Sequence, residues 1–428
     1  MLQKILKVFK IESVWKKLLF SVVALFIFRL FAAVPIPGVD VHLFRTILNN
    51  SEILQVVNLL TGGFLYSISM LTVGLGPYIT ASYILQILSM GFPSLKELYN
   101  GGVLERQQLN WYTRILTLPL AIGQAFVVYF SLAKLTTRFG LAPLIHVTST
   151  LQLLAIISIL VFGAFVTMWL GELISMYGVG GGSSLIIMAG ILISFPLNFR
   201  NALAFIPFIW QKVLIVLVIL VTLVLSVILS LAVYKIKVVY AQRVKATGQT
   251  QENYLPISIN PAGVMPIIFG VALVSILSAG ATFASKFPEW GILYKIGLSL
   301  SSFFSNQILY NTILVVVTLG FTIFSALLVL RPDDMAENLA KQGAFILGIR
   351  PGKSTENYLR DIILKVVAIG GILLGILVVL PSMFRFVLNI PILAITGSGI
   401  LIVASVIIDI IRQLQAVYAN LVDTKRYF

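Results

Sequence analysis

Residues 62–90 read GGFLYSISMLTVGLGPYITASYILQILSM, inside a run from Ile53 to Leu95 that carries no Lys, Arg, Asp or Glu. As one helix that run would reach roughly twice the ~30 Å hydrocarbon thickness that about 20 residues cross. One span cannot use up the run, and two full spans leave almost nothing for a polar turn. Its middle is interrupted at Gly62-Gly63 and again at Gly74-Leu75-Gly76-Pro77. Pro77 removes a backbone donor and disfavours helix at the residue before it. The pattern predicts a short helix that enters the membrane only in part, a break, and a full span from about Pro77 to Met90. Lipid cannot satisfy free backbone groups, so the break must be buried in protein or line a wet cavity. It is the candidate lining of a pathway.

Composition sets the class. A chain of 428 residues that is 59% hydrophobic and 11% charged is a polytopic membrane protein. Further charge-free stretches cover Ile115–Ala133, Phe139–Gly171, Leu173–Phe199, Val213–Tyr234, Asn253–Ser285, Ile296–Leu330, Val366–Phe384 and Phe386–Ile408. With a first span at Leu18–Val34, interrupted only by Arg29, the expectation is ten spans in an all-α membrane protein. The formal charge of +15 could suggest nucleic acid, but its distribution argues for topology. With the N-terminus in the cytoplasm, 21 of the 30 Lys and Arg fall on inner segments and 9 on outer ones, as the positive-inside rule requires. Both termini are then expected inside. The inner charge in long loops could still contact ribosomal RNA or an acidic partner. Cys is absent, so disulfides are too, which leaves the compartment undecided. A cleaved signal peptide is not expected, because nine further spans follow and Arg29 interrupts the first apolar run.

Along the chain, residues 1–17 alternate five lysines with apolar side chains, the pattern of an amphipathic helix on the inner membrane face. Val34-Pro35-Ile36-Pro37-Gly38 makes a rigid exit on the outer side. Gly178–Ser184 is a glycine-rich inner turn; with no Lys after it and no strand before it, a short helix–helix connection explains it better than a phosphate loop. Inner loops are expected at 235–257 and 331–361. Span seven opens with Asn260-Pro261-Ala262-Gly263-Val264-Met265-Pro266, a second Gly/Pro interruption. Divided five and five, at 18–206 and 207–428, the spans place an interrupted member second in each half. Five spans per half invert the second half relative to the first, and paired interruptions in an inverted repeat point to a pathway where the halves meet. Ordinary helix kinking is the plain alternative.

Ionisable groups are nearly missing from the spans: Arg29 lies near one end, and Glu172 and Asp409 sit at inner boundaries. Ion-coupled carriers usually keep carboxylates or histidines at mid-depth. His42 and His146 fall in outer segments without a ligand-spaced partner. No metal motif, cofactor motif, nucleophile–base pair or nucleotide-binding motif stands out, so enzyme chemistry is not expected.

Pro332–Leu339 (PDDMAENL), followed by Gly348–Lys353 (GIRPGK) and Tyr358-Leu359, resembles the large cytoplasmic loop of the SecY family of protein-translocation channels. Pro35–Gly38, Gly76–Ile79 with Ala81-Ser82, Tyr112–Arg114, Met168–Glu172, and Ala262–Val264 with Pro266 agree with that family in order over nearly the whole chain. The resemblance implies a ten-span clamshell of two inverted halves around a central pore. It implies a plug at about 62–70 (Gly62, Gly63, Phe64, Leu65, Tyr66, Ser67 and Ile68) and an apolar pore ring at Ile79, Tyr83, Ser183, Ile187, Ile268 and Ile402. A narrow apolar ring of this kind dewets and resists ions. Tyr83 and Ser183 make it less uniformly aliphatic than is usual. A lateral gate between spans two/three and seven/eight would admit signal sequences and release membrane helices to the lipids. Arg350, Arg243 and Lys353 are the expected contacts for the SecA motor ATPase or the ribosome, with SecE and SecG as companion subunits. The implied function is passage of unfolded preproteins across the cytoplasmic membrane. An inverted-repeat small-molecule transporter is the alternative, and an insertase that releases helices only into lipid is a third reading.

Overall fold

The computed structural model describes residues 12–37, 69–139, 149–204, 208–240, 253–263, 265–285, 291–388 and 393–424. The chain forms two compact units, residues 1–195 with 410–428, and residues 196–409. The sequence reading divides the halves at 206 instead. Residues 62–68 and Arg243, together with His42 and His146, lie outside the described residues.

The first unit holds α1 (Glu12–Ala33), α2 (Gly76–Gly91), α3 (Pro93–Asn100), α4 (Val103–Phe139), α5 (Thr150–Tyr177) and the first part of α6 (Gly182–Ala204). Of the expected helix over 1–17, the described part runs without interruption into the first span as α1. α2 packs on α4 and α5, α1 packs on α5, and α3 folds back against α2 and α4. Backbone-close packing explains the glycines. A Cβ on Gly182 would overlap the Gly171 carbonyl oxygen, so α5 and α6 meet here with no room for a side chain. The turn between them is fastened from three sides. Val179 N donates to Ser21 Oγ at 3.0 Å, Gly180 N to Gln413 Oε1 at 2.8 Å, and Gly182 N to Ser175 Oγ at 2.9 Å. Three amides of this turn thus already have protein acceptors.

The second unit holds α7 (Ile209–Leu231), α8 (Met265–Ala284), α9 (Ile292–Ser305), α10 (Gln307–Leu330), α11 (Pro332–Lys341), α12 (Lys353–Leu388) and most of the membrane part of α13 (Leu393–Thr424). α12 packs along α10 and α7, and α8 packs along α10. Gly370 and Gly371 let α12 approach Ile259 and α10: a Cβ on Gly371 would lie 2.8 Å from Leu319 Cδ1. The charge-free stretch Ile296–Leu330, read as one span, is two helices. α9 ends at Ser305, and Asn306 caps α10 by accepting from Ile308 N at 3.0 Å. An Asx side chain competing for backbone donors stops one helix and starts the next, which a count of charges cannot register.

The segments after α7 and α11 carry a small sheet that hydropathy alone does not announce. β1 (Val233–Tyr240) pairs antiparallel with β2 (Asn253–Ser258) and with β3 (Ala344–Ile346), giving the order β2-β1-β3. Ile236 and Val238 are buried while Lys235 and Lys237 are exposed, the period-two alternation of a strand with one face on a core. Pro256 sits in the edge strand β2, where a missing donor is tolerated. The buried face packs on Ala336 and Leu339 of α11 and on Leu359, Ile363 and Val367 of α12. With 36 residues, α12 is about 54 Å long at 1.5 Å per residue. That exceeds a bilayer core by some 24 Å, so its first turns stand out of the membrane and support the sheet.

Among the described residues, five helices are long and apolar enough to cross a membrane.

Candidate functional site

The interrupted segment ahead of α2 shows how a chain break can be held at membrane depth. α2 has 16 residues, about 24 Å, and so falls short of a full crossing. The seven residues before it form a turn, buried except at Met70, whose first amides have protein partners. Pro35 and Ser69 form an isolated antiparallel bridge, with Met70 N donating to Val34 O at 3.2 Å. Leu71 N donates to Ser69 Oγ at 3.3 Å; Thr72 donates to Ser69 O through its amide at 2.9 Å and its hydroxyl at 2.6 Å. Ser69 and Thr72 are fully buried, as is Leu71. Gly74 turns the chain at φ 58°, and Pro77 sits in the first turn of α2, where its missing N–H costs nothing.

Two neighbours fix this turn. On α5, a Cβ on Gly163 would overlap the Met70 carbonyl oxygen and lie 2.6 Å from its carbon. On α4, Gln124 Oε1 stands 2.9 Å from where a Cβ on Gly76 would be. The rigid exit Pro35–Gly38 and the break at Gly74–Pro77, recognised separately in the sequence, are joined by the Pro35–Ser69 bridge.

Two other motifs meet at the far end of α4 and α5. Arg114 Nε donates to Glu172 Oε1 at 3.1 Å and its Nη2 to Oε2 at 2.6 Å, a two-pronged pair that holds the carboxylate in one plane. Glu172 is 9% exposed on its side chain and Arg114 46%. Among the described residues Glu172 is the one charged side chain that is buried. Tyr99, on α3 outside the spans, has its phenol pushed up to about 12 by burial, with the charge of Tyr78 adding to it.

The second interruption is built differently. Gly263 takes φ 63°, and a Cβ there would lie 2.9 Å from Asp409 Oδ2. Asn260 Nδ2 donates to Gly263 O at 2.9 Å, closing the turn ahead of α8.

Of the expected ring residues, Ile79 and Tyr83 lie one turn apart on α2, and Ser183 and Ile187 one turn apart on α6, all four in the first unit. Ile268 on α8 and Ile402 on α13 belong to the second. Tyr83, Ile187, Ile268 and Ile402 are buried, while Ile79 and Ser183 are partly exposed. Arg350 and Lys353 are exposed beside the turn at Gly348 (φ 82°) and Gly352 (φ 99°). Thr355 Oγ1 donates to Arg350 O at 2.9 Å, so the turn is held by backbone and the Arg350 side chain is left to solvent. Among the described residues no group of His, Asp and Glu could hold a metal ion. The sequence reading missed Ser21, Gly163 and Gln413. Their partners are remote in the chain, and no local signal marks them.

The SecY family profile matches residues 69–411. The chain is 36% identical over 417 residues to the protein translocase subunit SecY of Buchnera aphidicola from Acyrthosiphon pisum, covering 95% of this chain and 92% of that one. It resembles a solved SecY whose plug domain is described as stabilizing the closed state of the translocation channel and maintaining a membrane seal. The TM-score is 0.64 at 17% identity, with 94% of this chain and 92% of that chain covered. Sec61 in the canine ribosome–channel complex aligns with a TM-score of 0.54 at 15% identity, over 94% and 92% of the two chains.

Proposed function

Because the chain belongs to the SecY family, we propose that it is the pore-forming subunit of a preprotein translocase, a multi-pass protein of the cytoplasmic membrane that passes unfolded polypeptides and is driven by a partner. The observation that carries this reading is electrostatic. The described residues bury a single charged side chain, Glu172, and it is already neutralised by Arg114. A carrier coupled to protons or sodium needs a buried group that changes charge or binds a cation during the cycle; Glu172 is committed to a structural pair. A passive conduit needs none.

The hydrogen-bonded turn at Ser69–Leu75 supports a role for the segment before it as a plug, since it gives that segment a fixed anchor. Ile79, Tyr83, Ser183, Ile187, Ile268 and Ile402 are proposed as the apolar ring, which would seal by dewetting and deform around a passing chain. Exposed Arg350 and Lys353, with Arg243, are proposed to dock the SecA motor or the ribosome, and SecE and SecG to complete the complex. Both termini are placed in the cytoplasm on the distribution of Lys and Arg.

Reconstitution with SecA, ATP and a preprotein tests the reading. ATP-dependent protection of the preprotein from added protease is expected. A reconstituted complex that binds SecA yet protects no substrate, or that accumulates a small solute against its gradient, refutes it.

A further inference from the structure

α9 is an unexpected helix, and its free surface is two-sided. It sits between α8 and α10 at the end of the second unit away from the sheet, because β2 leads into α8 and α10 leads back to α11 and β3. One face is packed: a Cβ on Gly297 would lie 2.7 Å from Ser285 N and 2.8 Å from Ala284 C, so α9 lies directly on the end of α8. On the rest, helical spacing sets two stripes side by side, with Leu293 and Leu298 exposed outside them. Ile292, Ile296 and Leu300 follow one another at i, i+4 and i+8 and are 77%, 49% and 42% exposed. Phe303 continues that stripe, edge-on to Phe304 at 5.9 Å. Beside it runs a polar stripe of Lys295, Ser299 and Ser302.

We infer that α9 is an interfacial helix whose Ile292–Ile296–Leu300 stripe is seated in the bilayer leaflet opposite the sheet, with Lys295 among anionic phospholipid headgroups. Three observations name lipid as the occupant. Asn306 is the single residue between α9 and the spanning helix α10, whose first turn exposes Ile308. α8, with 20 residues, is about 30 Å long and just crosses the hydrocarbon, so α9 begins where the headgroups do. Serine hydroxyls outside the polar stripe also bond within the helix: Ser301 Oγ donates to Leu298 O at 3.0 Å and Ser305 Oγ to Ser301 O at 2.7 Å. Hydroxyls satisfied in this way carry a smaller desolvation cost into a layer poor in water. An apolar stripe beside a cationic polar stripe is the surface that such helices present to a membrane.

The chain has no cysteine, so single cysteines at Ile296, Leu300 and Ser302 can carry an NBD fluorophore in the complete translocase. The test uses vesicles of phosphatidylethanolamine and phosphatidylglycerol. Probes at Ile296 and Leu300 should emit blue-shifted light, be quenched by lipid carrying a nitroxide near the head of its acyl chain, and resist aqueous iodide; the probe at Ser302 should show the reverse preference. Iodide quenching of all three alike would place the helix in water. Protection of Ile296 and Leu300 from both quenchers would mean that a protein or a second copy covers the stripe. Either result overturns the inference.

Discussion

Replacing Gly163 by Ala tests the anchor of the interrupted segment. The added methyl would sit against the Met70 carbonyl, 2.6 Å from its carbon and 3.3 Å from Leu71 N, where ordinary contacts begin near 3.4 Å. Either α5 or the turn must therefore retreat by more than an ångström. α5 is a long helix tied to α1, α2 and α4, so the turn is the part that gives, and the Met70–Val34 bond at 3.2 Å lies in its path. Overpacking costs about 1–3 kcal/mol, and loss of that hydrogen bond adds about 1 kcal/mol. A net cost of about 2–4 kcal/mol lowers Tm by roughly 2–4 °C, at about 1 °C per kcal/mol for a chain of this length. Intrinsic-fluorescence melting of the detergent-purified complex measures it. Since the turn anchors the segment proposed as the plug, ion conductance of the resting complex in planar bilayers should also rise. Gly123→Ala on α4 is the control, because nothing lies within 4 Å of a Cβ there and helix propensity favours Ala by up to ~1 kcal/mol. If the two variants melt alike and Gly163→Ala stays electrically tight, the turn is not held as argued.

Glu172→Ala leaves Arg114 without its two-pronged partner; with Arg114 nearly half exposed, the cost should be about 2 kcal/mol, between that of a buried and a surface pair, while Glu172→Gln should cost less in the same melting assay. Arg350→Glu should change stability by under ~0.5 kcal/mol, because the fold uses only the backbone of that residue; it should still lower SecA-driven transport at equal abundance, and equal loss of both would leave only a folding role. Tyr99 is neutral in the folded state up to about 12 but titrates near 10 when unfolded, so stability present below pH ~10 is lost as pH rises toward 12. Tyr99→Phe should flatten that decline in Tm, and an unchanged pH profile would show that the phenol is not buried as described.

What the residues determined alone is what depends on composition along a line. Uncharged stretches mark the spans, and Pro77 and Gly74–Gly76 mark the break, because the cost of placing a charge or a free amide in lipid is paid locally. The alternation at Lys235–Val238 was also available in the sequence, though it lay in a segment read for its charge and its strand period passed unused. Tertiary structure decided which distant groups close which gaps. Gly163 admits Met70, Ser21 reaches Val179 across 158 residues and Gln413 reaches Gly180 across 233. Nothing near a glycine or a glutamine in sequence states what will approach it. Hydropathy assigns a residue to a medium; only packing assigns it a neighbour.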